Sequence, residues 1–141
     1  MSNANPMLAP VVALVIWSAI VWAWMYATRI PAIIKLRMVL DPMAPRGEQM
    51  AQLPPKVRWK ADNYNHLMEQ PTLFYAIAIS LAVLGDQSMA SVALAWSYVG
   101  LRVVHSLVQA TWNNIQTRFA LFFVSSLLLF GLVCQAALRV F

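Results

Sequence analysis

Acidic side chains are scarce in this chain: 5 Asp and Glu stand against 10 Lys and Arg among 141 residues. Charged residues together reach 11%, where a soluble domain carries about 25%. With 61% hydrophobic residues and a mean hydropathy of +0.64, that shortage excludes an ordinary water-facing surface and places the chain in a bilayer. The one cysteine, Cys134, cannot form an intramolecular disulfide, and its apolar run fits a buried small hydrophobe. No Gly-rich phosphate loop, no Cys/His metal spacing and no serine-nucleophile motif is present, so no metal is expected. Internal repeats and low-complexity segments are missing too. The net charge of +5 raises nucleic acid as a partner. Its basic residues, however, gather beside an apolar segment rather than along a soluble face, which favours anionic headgroups or an anionic ligand instead.

What is present is a set of long apolar runs. At 141 residues the chain is too short for several domains and is read as one membrane unit, 1–141. Met1 to Pro6 is a polar start without Lys or Arg. The run from Met7 to about Ala27 has roughly the 20 residues that a spanning helix needs. It lacks the basic flank and small-residue cleavage site of a secretory signal, so it stays as a helix, extended to about residue 37. Pro31 is a potential kink. Trp17, Trp22, Trp24 and Tyr26 suit either the interfacial zone or helix packing. A loop follows, punctuated by Pro42, Pro45 and Gly47 and closed by Pro54-Pro55. A second helix is expected over about 56–84, kinked at Pro71, which removes a donor to Leu67. Gly85-Asp86-Gln87-Ser88 reads as a Gly stop and an N-cap. The remaining helices are expected over about 89–111 and 115–138, joined by Trp112-Asn113-Asn114.

Four spans put both termini on one side. The first loop and its flanks hold Arg29, Lys35, Arg37, Arg46, Lys56, Arg58 and Lys60, whereas the other side offers little beyond Arg139. The positive-inside rule places that loop in the cytoplasm and the termini outside.

Two polar stripes interrupt the apolar runs. Arg58, Asp62, Asn65 and Glu69 fall at i, i+4, i+7 and i+11 on one helical face. Arg102, His105 and Gln109 form a second stripe at i, i+3 and i+7. Glu69 enters the apolar part of its helix, where a carboxylate needs a partner. It has two readings: a structural pair with Arg102 or Arg118, or a receptor for a ligand ammonium group. Asn65 either hydrogen-bonds a peptide-like ligand or joins two helices. For His66 an interfacial or inter-subunit hydrogen bond is favoured over catalysis. His105 and Gln109 serve Glu69 and Asn65 as interhelical partners, or line the same cavity. Arg118 opens the last helix, where a positive charge opposes the helix dipole. An anionic partner explains it better than local stability does: a thiolate, a carboxylate, or a lipid phosphate reached by snorkelling.

On Asn65, Pro71 and Phe74, on Arg102-x-x-His105-x-x-x-Gln109 and on the following Arg118, the chain resembles the membrane-associated proteins in eicosanoid and glutathione metabolism. The resemblance covers nearly the whole chain and is similar to the microsomal glutathione transferases, in a bacterial-type form. It implies an all-α membrane protein, a left-handed up-down bundle of four transmembrane helices, and a homotrimer with glutathione bound between adjacent subunits as co-substrate. By that likeness Asn65 is the glutathione-binding asparagine, Arg118 stabilises the thiolate, Arg37 (with Lys35 as the alternative) matches an arginine ending the first helix, and His105 is a ligand-site histidine. The binding set is then Arg37, Asn65, His66, Glu69, Arg102, His105, Gln109 and Arg118, with Arg118 catalytic. The sequence departs from the family at Met68, where the acidic residue usually stands, and at Gln109 and Phe122, where tyrosines occur.

The expectation is a glutathione transferase or peroxidase acting on lipophilic electrophiles from the lipid phase, in a bacterial inner membrane, with its site near the cytoplasmic face. The alternative is a non-catalytic binder of a lipid or metabolite. A proton-linked transporter using Glu69 is a third reading, disfavoured because the polar residues sit near one face and no repeat is present.

Overall fold

A computed structural model of the chain describes residues 4–141; Met1–Asn3 of the expected polar start lie outside the described residues. Six helices follow in order: α1 (Leu8–Lys35), α2 (Glu48–Ala51), α3 (Pro55–Leu67), α4 (Gln70–Val83), α5 (Met89–Thr111) and α6 (Ile115–Val140). Among the described residues there is no strand. Three helices, α1, α5 and α6, are long and apolar enough to cross a membrane.

Pro31 does not interrupt α1. The helix runs on to Lys35 and then stops in a Schellman turn. Arg37 adopts φ 50°, its N–H donates to Ile34, and the N–H of Met38 donates back to Ile33 at 3.2 Å. The loop contains an element the sequence reading did not foresee, the single turn α2, entered through Gly47 at φ 87°.

The expected single helix over 56–84 is instead two helices. Met68 ends α3, and Glu69 stands at the head of α4 with φ −92° and ψ −102°, outside helical space. Pro71 lies within the first two positions of α4, where a missing N–H costs nothing. A proline that was expected to bend a helix therefore starts one. α4 ends at Gly85, φ 75°, whose N–H donates to Ala82 while that of Asp86 donates to Leu81. Ser88 then caps α5 by accepting from the Ser91 N–H.

One apolar core joins the long helices. Leu14 and Val21 of α1, Leu67 of α3, Phe74, Ala78 and Leu81 of α4, Tyr98 of α5 and Leu132 of α6 are all buried in it. Phe74 and Tyr98 stack with centroids 4.6 Å apart. Outward faces of α1 and α6 are apolar as well, with Ile16, Ile20, Phe123, Leu127 and Phe130 exposed, as the lipid-facing side of a spanning helix requires. Cys134 belongs to that outer face of α6 and is exposed rather than buried. The aromatic residues of α1 divide in the same way. Trp17 packs on the core, Trp22 and Tyr26 meet edge to face on the outside, and Trp24 carries the Lys60 ammonium at 5.0 Å.

Candidate functional site

The polar residues divide between the two ends of the helices, and the end bearing the α1–α3 connection holds most of them. α5 delivers Arg102, His105 and Gln109 from one face, each at most 4% exposed. The three belong on the inward face because they sit one turn apart, in line with buried Tyr98. Arg102 Nε donates to the Tyr98 hydroxyl at 3.1 Å. Its guanidinium lies 5.3 Å from the Tyr98 ring and 5.1 Å from that of Phe122. Among the described residues no carboxylate forms a salt bridge with it, and Nη2 has no hydrogen-bond partner. Both ring nitrogens of His105 and Oε1 of Gln109 are likewise buried and unpartnered. A single buried polar atom without a partner costs about 1–3 kcal/mol, so a cluster of them is the candidate site on this chain.

Beside the cluster opens a cavity of about 240 Å³ lined by His66, His105, Ile115, Arg118, Phe119 and Phe122. Arg118 reaches it from the first turn of α6. Its Nη1 donates to Asn113 Oδ1 at 2.6 Å, and Nε is buried and unpartnered. Asn113 sits in the left-handed region, φ 53°, where its N–H closes α5 by donating to the Val108 carbonyl, a conformation asparagine tolerates. Asn114 then caps α6 through the Thr117 N–H. His66 enters from the last turn of α3, its ring 5.4 Å from that of His105 and 5.8 Å from that of Phe122.

Glu69 does not pair with Arg102 or Arg118, as one expectation had it. The helix break swings it outward, and its carboxylate, 66% exposed, lies 3.3 Å from His66 Nδ1, short of hydrogen-bond alignment. Asn65 also points away from the Arg118 cavity. It is exposed and lines a separate cavity of about 390 Å³ with Arg29, Arg46, Arg58 and Asp62. One chain therefore does not bring Asn65 and Arg118 together. Neither do His105 and Gln109 act as partners for Glu69 or Asn65; they pack with Asn63 and Ser106. Arg37 lies exposed in the turn after α1 and lines neither cavity.

Sequence reasoning passed over Asn63, which is 1% exposed and donates to Ser106 at 2.7 Å. It also passed over Tyr98 and Asn113, the residues that hold the two arginines. For Tyr98 a signal was there: it precedes Arg102 by four residues, one turn of the same face.

A helical chain with three membrane-length apolar helices among its described residues has the build of an integral membrane protein. The profile of the MAPEG family matches residues 7–138, nearly the whole chain, and the chain belongs to that family. Neither the curated proteins nor the solved structures gave a match.

Proposed function

We propose that the protein binds glutathione, or a closely similar anionic thiol, and uses Arg118 to stabilise its thiolate for attack on a lipophilic electrophile or peroxide. One observation carries the reading: the Arg118 cavity joins a cation to walls of Phe119, Phe122 and Ile115, beside buried polar atoms that have no partner among the described residues. A guanidinium lowers the pKa of a bound thiol, ordinarily about 8.5. The exposed side chains of Ile115 and Phe119 give an apolar acceptor a way in from lipid.

In one chain the cavity is smaller than the about 300–1,000 Å³ of small-molecule sites. The second cavity, with Arg29, Arg46, Arg58 and Asn65, has the charge to take carboxylates. A homotrimer that sets this cavity of one copy against the Arg118 cavity of the next supplies both halves. In this arrangement α3 and α4 together make a fourth crossing. Each is too short alone, at 13 and 14 residues, but in line they reach about 40 Å at ~1.5 Å per residue. The basic loop then faces the cytoplasm.

The test is ultraviolet thiolate absorbance on adding glutathione to the purified protein, with binding of S-hexyl glutathione measured alongside. Wild type should show the thiolate and bind the hexyl derivative more tightly. Arg118→Ala should lose the thiolate signal, and equal signals in both proteins would end the proposed role. A non-catalytic binder remains the second reading, favoured by the absence of any hydroxyl from the Arg118 cavity; ligand-dependent thermal stabilisation without turnover of any electrophile would select it.

A further inference from the structure

Thiolate formation leaves a proton to be placed, and the Arg118 cavity contains no hydroxyl or carboxylate to take it. Its proton acceptors are two imidazoles, His66 and His105. The charged and titratable groups around His66 are Glu69 at the head of α4, Arg102 and His105 on α5, and Arg118 on α6. Glu69 is the one anion of the set, 3.3 Å from His66 Nδ1. His105 has no carboxylate within salt-bridge distance among the described residues. The carboxylate lies beside Nδ1 without a hydrogen bond to it, which leaves Nε2 as the ring nitrogen to accept a proton from the cavity. The helix break sustains the arrangement. It ends α3 one residue after His66 and sets Glu69 at the head of α4, so the carboxylate stays beside the ring while the ring lines the cavity.

Building on the thiol-binding reading, we propose that His66 accepts the thiol proton, with Glu69 as its positioning residue. The S–H bond breaks and its electron pair stays on sulfur, giving a thiolate beside Arg118. The proton forms a new N–H bond at His66 Nε2, so the charge of the site does not change. The thiolate then bonds to the electrophilic carbon of the acceptor. The imidazolium returns the proton to the anion that develops on the acceptor or its leaving group, which restores neutral His66.

Proton counting tests this. Glutathione is added to the full-length protein in weakly buffered detergent solution, and thiolate absorbance is read together with proton release to an indicator dye. Wild type should form the thiolate with little proton release. His66→Gln, with Arg118 intact, should release about one proton per thiolate formed, by simple mass balance between bound and free protons. Glu69→Gln should fall between them and shift the pH profile of conjugation. That variant, altered at an exposed side chain, keeps the proposal testable if His66→Gln does not fold. Equal proton release per thiolate from wild type and from both variants would overturn the role of His66 and leave the thiol-binding reading standing. No thiolate in wild type would end both.

Discussion

The two ends of the helices treat charge in opposite ways. At the end bearing the chain termini, Arg139 of α6 donates to Asp86 Oδ1 at 2.8 Å, and the Ser88 N–H donates to the same oxygen at 2.8 Å. Asn5 from the N-terminal segment closes that end by donating to the Ala82 carbonyl at 3.1 Å. Charge there meets opposite charge and fastens α4, α5 and α6 to one another. At the other end Arg102 and Arg118 have no carboxylate in salt-bridge contact among the described residues, and four buried polar atoms on Arg102, His105 and Gln109 lack partners, against one at the closed end, Asp86 Oδ2. A buried cation without its anion stabilises nothing. The first end thus pairs its charges, and the second is where the proposed ligand site lies.

If that division holds, function and stability come apart at the open end. Arg118→Ala should reduce the thiolate-to-thiol ratio of bound glutathione about a hundredfold, the equivalent of two pKa units. The same change should leave the melting temperature in detergent within about 1 °C of wild type, because a cation in the first turn of α6 opposes the helix dipole. A large drop in melting temperature would move Arg118 into the structural class with Arg139.

Arg102→Met sharpens the contrast further. Methionine fills much of the volume between Tyr98 and Phe122 without a buried charge. Stability in detergent should hold or rise by about 1 kcal/mol, as when other buried ions are replaced by apolar groups. The Tyr98 hydroxyl still has Gln70 Oε1 within 3.5 Å, so no orphan is created there. Glutathione affinity should fall about tenfold or more through the lost charge-assisted contact, which calorimetry would read directly.

Asp86→Asn probes the closed end, where the reverse should be seen. Burial works against the Asp86 carboxylate, yet hydrogen bonds from Ser91 and Ser88 and the Arg139 cation together hold its pKa below the ordinary 3.8. A carboxyl depressed in the folded state contributes stability that is present above its unfolded value and is lost as pH falls through its folded one. Wild type should therefore lose stability as the pH drops below about 4, and Asp86→Asn should flatten that fall. At neutral pH the substitution should cost about 1 kcal/mol, discounted because Arg139 is 39% exposed. Glutathione binding at the far end should not change.

The sequence made some of this legible and hid the rest for physical reasons. Hydropathy and turn residues were enough for α1, α5 and α6, because length and apolar content decide a spanning helix. Ser88 and Asn114 mark the starts of α5 and α6, and Gly85 the end of α4, by local chemistry that needs no tertiary context. Pro71 was read as a kink and is a helix start; which of the two occurs depends on whether the preceding residues leave helical space, and only packing decides that for Met68 and Glu69. The α5 stripe was readable because a single helix fixes the relative positions of Arg102, His105 and Gln109. Asn65 and Arg118 sit on different elements, so no spacing rule tells whether they face one cavity. The break then rotates the α3 stripe so that Glu69 leaves it.

The smallest effect belongs to a hydrogen bond that joins α3 to α5 at the open end. Asn63 on α3 and Ser106 on α5 meet at 2.7 Å, each 1% exposed. Hydrogen bonds between helices in a membrane contribute about 0.6 kcal/mol on average, with a ceiling near ~1.7. Ser106→Ala should thus lower the melting temperature by only about 1–2 °C, and a double-mutant cycle with Asn63→Ala should return a coupling in the same range. A coupling well above that range would mean that the polar end of the helices carries stability of its own. The unpartnered atoms around Arg102 and His105 would then count as a cost that packing absorbs, and the contrast between a closed structural end and an open functional one would lose its basis.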